Sequence, residues 1–88
     1  MLLPMEHGKR RRSAVHTPEY RYLLGRLREA RVSAGLTQVQ VARALGRHQS
    51  YVTKCELGER RIDPIDLQQF AQLYQRPLSY FLPRASRS

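Results

Sequence analysis

Two glutamines, Gln38 and Gln49, stand where two successive short helices begin, and fourteen arginines and two lysines are spread around them. Side chains of these types recognise rather than react. An amide offers one donor group and one acceptor, and a guanidinium forks onto phosphate or guanine through parallel N–H groups. The residues that break bonds are not arranged to do so. There is no Gly-rich phosphate loop, no His-based triad with a nucleophile, and no carboxylate pair placed to share a pocket. Asp63 and Asp66 are accounted for by the start of a helix. His7, His16 and His48 lack ligand spacing, so no metal site is expected. The single Cys55 excludes an internal disulfide and fits a reducing compartment. Its spacing from Val52 marks it as a small buried hydrophobe. The expectation is a binding protein with no enzymatic activity and no cofactor.

Eighty-eight residues leave room for one domain of four or five short helices, because so short a chain buries only roughly 60–65% of its unfolded surface. Sixteen Lys and Arg against seven Asp and Glu give a net charge of +9. Charge of that size points to a polyanionic partner, whether nucleic acid, anionic membrane or acidic protein, and says little about fold. Residues 1–16 carry +3, residues 17–62 carry +5 and residues 63–88 carry +1. No apolar stretch approaches the ~20 residues that span a bilayer, so no membrane partner is expected. The opening Met1-Leu2-Leu3-Pro4 is too short for a signal core, and the basic run follows it instead of preceding it. A cytoplasmic protein is expected.

Stepping along the chain, residues 1–16 read as a disordered arm with Pro4, Gly8 and the run Lys9-Arg10-Arg11-Arg12. A domain over 17–83 and a loose tail over 84–88 follow. Thr17-Pro18-Glu19 is a helix start, with cap, N1 proline and an acid in the first turn. Tyr20, Leu23, Leu24, Leu27, Ala30 and Ala34 recur at helical spacing, and Gly35 supplies a left-handed exit. Thr37-Gln38-Val39-Gln40 is the Thr-x-x-Gln form of a capping box. Val41, Ala42 and Leu45 form the inner face of that second helix, and Gly46 ends it. Gln49 to Leu57 is a poor helix by propensity, with Val52 and Cys55 or Glu56 inward and Gly58 closing it. Asp63 then caps a fourth helix with Pro64 at N1, Asp66 at N3, and Ile62 and Leu67 at the staple positions. Leu67, Phe70, Ala71 and Tyr74 continue its apolar face. Pro77 to Pro83 reads as an apolar turn or short helix bracketed by prolines. With no strand pattern, the class is all-α.

Two short helices joined through Gly46 by a three- to four-residue turn fit a helix-turn-helix unit. The residues Ala34-Gly35-Leu36-Thr37-Gln38, Val41-Ala42, Leu45-Gly46, Gln49-Ser50, Val52-Thr53-Lys54 and Glu56-x-Gly58 closely resemble the Cro/C1-type (Xre) helix-turn-helix family, from about Leu27 to Phe81. The resemblance implies a compact five-helix domain of the phage-repressor kind that binds double-stranded DNA. It places the helix beginning at Gln49 in the major groove and the helix beginning at Gln38 across the backbone above it. Gln49 would pair with adenine, its amide matching N6 and N7. Gln38 would buttress the reading glutamine and touch phosphate. Ser50 and Lys54 match base-facing positions, flanked by Tyr51 and Thr53, and Tyr51 would stack on sugar or a thymine methyl or contact phosphate. Arg47, Arg60 and Arg61 fall where the family grips the backbone, and Thr37 and His48 join that set. Val41, Ala42, Leu45 and Val52 match its buried positions.

Read this way, the protein is a bacterial-type transcriptional regulator or repressor, a homodimer on a palindromic operator. Lys9 to Arg12 would follow the DNA backbone or enter the minor groove, against the plainer reading of a solvated segment. Glu56, a lone negative charge on a cationic face, is expected in a structural hydrogen bond or an ion pair with a nearby Arg. The Leu78, Phe81 and Leu82 cluster caps the core or contributes to a dimer face. Three other readings stay open: an antitoxin whose main partner is a toxin, a charge-driven binder without sequence preference, and a controller of a restriction–modification system. The amide pair at Gln38 and Gln49 argues against the second, since charge neutralisation does not need it.

Overall fold

The computed structural model describes residues 17–84, which form four α-helices and one 3-10 turn, with no strand among the described residues. Helix α1 (Pro18–Ser33) starts where Thr17 Oγ1 accepts the Tyr20 N–H at 3.2 Å, with Pro18 in the first turn. Leu23, Leu27 and Ala30 turn inward along one stripe, while Ala34 is the exposed C-cap and lies outside it. Gly35 then takes the left-handed conformation that lets the chain reverse. Helix α2 (Gln38–Leu45) opens with both halves of its capping box: Gln40 N–H to Thr37 Oγ1 at 3.1 Å and Thr37 N–H to Gln40 Oε1 at 2.8 Å. Gly46 closes it at φ 69°, and the Arg47 N–H reaches back to the Ala42 carbonyl at 2.8 Å.

Helix α3 (Gln49–Leu57) has no side-chain cap at His48 and carries Ser50, Tyr51, Val52 and Thr53 in succession. Packing holds it where propensity does not: Tyr51, Val52 and Cys55 are buried against α1, α2 and α4. Helix α4 (Pro64–Tyr74) is capped by Asp63, whose carboxylate accepts the Asp66 N–H at 2.8 Å. Its Leu67, Phe70, Ala71 and Tyr74 are all buried. Phe70 is the centre of the core, parallel to Tyr51 at 6.1 Å and stacked on Tyr74 at 6.0 Å.

The family resemblance implies five helices, but the last element is a single 3-10 turn over Leu78–Phe81. Pro77 and Pro83 bracket it, which leaves too few residues between them to propagate i→i+4 hydrogen bonds. Phe81 is fully buried, whereas Leu78 and Leu82 are 42% and 48% exposed, so only one of the three apolar residues caps the core. The turn is pinned to α1 by Arg26, whose Nε donates to the Tyr80 carbonyl at 3.0 Å while its guanidinium lies 3.9 Å from the Tyr80 ring centre. The loop before α4 is tied to α1 by the Ile62 N–H donating to the Tyr20 hydroxyl at 3.0 Å.

Candidate nucleic-acid interface

Between α2 and α3 the chain spends only Gly46, Arg47 and His48, so the first turn of α3 follows closely on the end of α2. Gln49 and Ser50 are exposed on that first turn, and Lys54 is exposed one turn later on the face of Ser50. Arg47, His48, Ser50, Tyr51, Lys54 and Arg60 line one open recess of roughly 530 Å³. Gln49 stands outside that recess. Arg61 is exposed in the loop after α3, and Thr37 is exposed at the start of α2. The recess is strongly cationic, with Asp66 the carboxylate nearest Arg47, 3.8 Å from its Nη2.

Two residues grouped with the base-facing set behave differently. Tyr51 is 8% exposed, with its ring against Phe70, and burial pushes its phenol up to about 12. Its ring is part of the core and does not extend outward from α3. Helix α3 turns two adjacent residues inward, Tyr51 and Val52, which the Val52-to-Cys55 spacing alone does not reveal. Thr53 is half-buried, and its hydroxyl donates to Gln38 Oε1 at 2.6 Å.

Gln38 differs in its partner as well. Its Nε2 donates to Glu56 Oε1 at 3.0 Å, so its amide is taken up by Glu56 and Thr53 and makes no hydrogen bond to Gln49. The orientation follows from chemistry: a carboxylate only accepts, so the amide nitrogen faces Glu56 and the oxygen is left for the Thr53 hydroxyl. Glu56 in turn accepts from Arg31 Nε at 2.6 Å and Nη2 at 3.2 Å, a two-pronged ion pair with the Glu56 side chain 6% exposed and Arg31 12%. Arg31 also donates to the Leu36 carbonyl at 3.0 Å. One chain of polar contacts therefore joins α1, the turn after it, α2 and α3. The misplaced charge of Glu56 signals an arginine partner in the sequence; that the partner is Arg31 does not follow from spacing.

Cys55 is fully buried, with its thiol pushed up by burial, as the small-hydrophobe reading expects. No group of three His, Cys, Asp or Glu residues able to hold a metal occurs among the described residues. No described helix is long and apolar enough to cross a membrane. The run Lys9, Arg10, Arg11 and Arg12 lies outside the described residues.

A family model described as a helix-turn-helix domain matches residues 23–79, which takes in the inward face of α1, all of α2, α3 and α4, and part of the final turn. A search of curated proteins found no match. The matched span is well over half of the chain and agrees with the Cro/C1-type resemblance read from the sequence. The chain belongs to the helix-turn-helix domain family.

Proposed function

We propose that this protein is a sequence-specific regulator of transcription that binds double-stranded DNA through the major groove, as a homodimer on a palindromic operator. The observation that carries the reading is α3 itself: a short helix anchored by Val52, Cys55 and the Glu56–Arg31 pair on one side, with Gln49, Ser50 and Lys54 exposed on the other. Base reading requires side chains held on a firmly anchored element, and burial of Tyr51, Val52 and Cys55 anchors α3. In this reading Gln49 pairs with adenine, and Ser50 and Lys54 face neighbouring bases. Arg47, His48, Arg60 and Arg61 hold phosphates, Thr37 lies over the backbone, and Gln38 and Thr53 lock α2 to α3. Tyr51, buried, is left out of the base-reading set. Lys9 to Arg12 add contacts to the backbone or the minor groove.

A second reading, an antitoxin that regulates its own synthesis, draws support from one feature. An apolar groove of about 410 Å³ runs between Tyr20, Leu23, Ile62, Leu67, Leu78 and Leu82, away from the cationic recess. Co-purification with the product of a neighbouring gene would establish it; recovery of the protein alone would count against it.

The primary reading is tested by Gln49→Ala on the preferred duplex and on a scrambled duplex of equal length. The variant is expected to lose about 1–3 kcal/mol on the preferred site only and to relax one base position. Equal losses on both duplexes would refute base reading by Gln49.

A further inference from the structure

Two cationic side chains from different segments share one aromatic ring beside α3. The Arg47 guanidinium carbon lies 4.1 Å from the Tyr51 ring centre, and that of Arg60 lies 5.0 Å from it. Arg47 comes from the turn before α3 and Arg60 from the loop after it. Like charges brought this close repel, and long side chains lose rotamer freedom when they are ordered. Attraction to the electron-rich ring face offsets both effects, most strongly where the ring is shielded from water. The ring cannot swing away, because the core fixes it: it is parallel to Phe70 within 3° and almost wholly buried. Asp66 steadies Arg47 from a third side at 3.8 Å.

We infer that Tyr51 is a positioning residue, whose buried ring sets Arg47 and Arg60 in advance as a paired clamp on adjacent DNA backbone phosphates flanking the groove that α3 enters. The inference rests on the DNA-binding reading above and deepens it. Without the ring face to hold them, the two like-charged guanidiniums separate into solvent and no longer reach those phosphates, so the ring decides whether the contacts form. The ring contributes this without contributing charge, and that gives it a signature. Removing a charge contact lowers the salt dependence of binding, whereas an uncharged core residue with a purely structural role leaves the salt dependence alone.

The test is duplex binding by the full chain across a range of salt concentrations. Arg47→Ala and Arg60→Ala should each lower the slope of log K against log salt by about 0.9. Tyr51→Phe, which keeps the ring face, should retain the wild-type slope. Tyr51→Leu, with net charge unchanged, should lower it by at least as much as loss of one arginine. Circular dichroism and thermal melting show which variants fold. Should Tyr51→Leu not fold, the δ-methylene proton shifts of Arg47 and Arg60 in the wild-type protein decide the matter. Ring-current displacement of both supports the clamp, and ordinary arginine shifts overturn it. A folded Tyr51→Leu with the wild-type slope overturns the inference and leaves DNA binding intact. A Tyr51→Phe slope as low as that of Tyr51→Leu overturns the role of the ring face. Wild-type protein that binds no duplex in a salt-dependent way overturns the DNA reading and the clamp together, even where the ring-current shifts are present.

Discussion

Removing the Glu56 carboxylate would leave the Arg31 guanidinium, 12% exposed, with only the Leu36 carbonyl as a partner, and would free the Gln38 amide from its acceptor. Breaking a buried pair from one side costs about 3–5 kcal/mol, because the remaining charge stays desolvated. Glu56→Ala should therefore lower the unfolding free energy measured by urea denaturation by that amount, and a loss below about 1 kcal/mol would show that the pair is effectively solvated. Tyr51 brings a second expectation. Burial, with Cys55 and Asp66 adding and Arg47 opposing, raises its phenol from 10.0 to about 12. A folded-state pKa above the unfolded value stabilises the fold fully below pH 10, and that stability is lost as pH rises from there toward 12. Melting temperature should fall across that alkaline window, and Tyr51→Phe should make the fall shallower. At this scale the exposed positions Gln49, Ser50 and Lys54 were legible in the sequence because their places on a helix follow from its start. The partners of Gln38 were not. Arg31 and Glu56 are 25 residues apart, and only the packing of α1 on α3 brings them together.

The elements were more readable than their contacts. Thr17, Thr37 and Asp63 each announce a helix start by a hydrogen bond that forms locally, and Gly35 and Gly46 announce reversals that only a residue without a Cβ makes cheaply. Gly46 lies at φ 69°, and a Cβ there would meet nothing within 4 Å. Gly46→Ala should thus cost backbone strain alone, about 1–2 kcal/mol, and leave the tilt of α3 unchanged. A urea midpoint equal to wild type would contradict that assignment. Helix α3 is the opposite case, weak by local preference and fixed by burial of Tyr51, Val52 and Cys55. The family resemblance implies five helices, and the described residues form four; the segment between Pro77 and Pro83, legible as a turn or a short helix, is a single 3-10 turn.

Taken whole, the molecule sets a cationic recess beside the exposed face of α3, and an apolar groove between α1, α4 and the final turn elsewhere. With 6–10 phosphate contacts, affinity should drop on the order of 10³–10⁵-fold between 50 and 200 mM salt. A fall of less than tenfold would leave the +9 charge without a role in DNA binding. Charge alone does not separate a regulator from an indiscriminate binder, since both depend on salt; sequence preference does. The most direct measurement is selection of bound duplexes from a random library by the purified full-length chain at near-physiological salt. Enrichment of a palindromic motif is expected, with half-sites about one helical turn apart, ~34 Å, so that two copies of α3 enter successive major grooves. Salt-sensitive binding with no sequence enriched would contradict it.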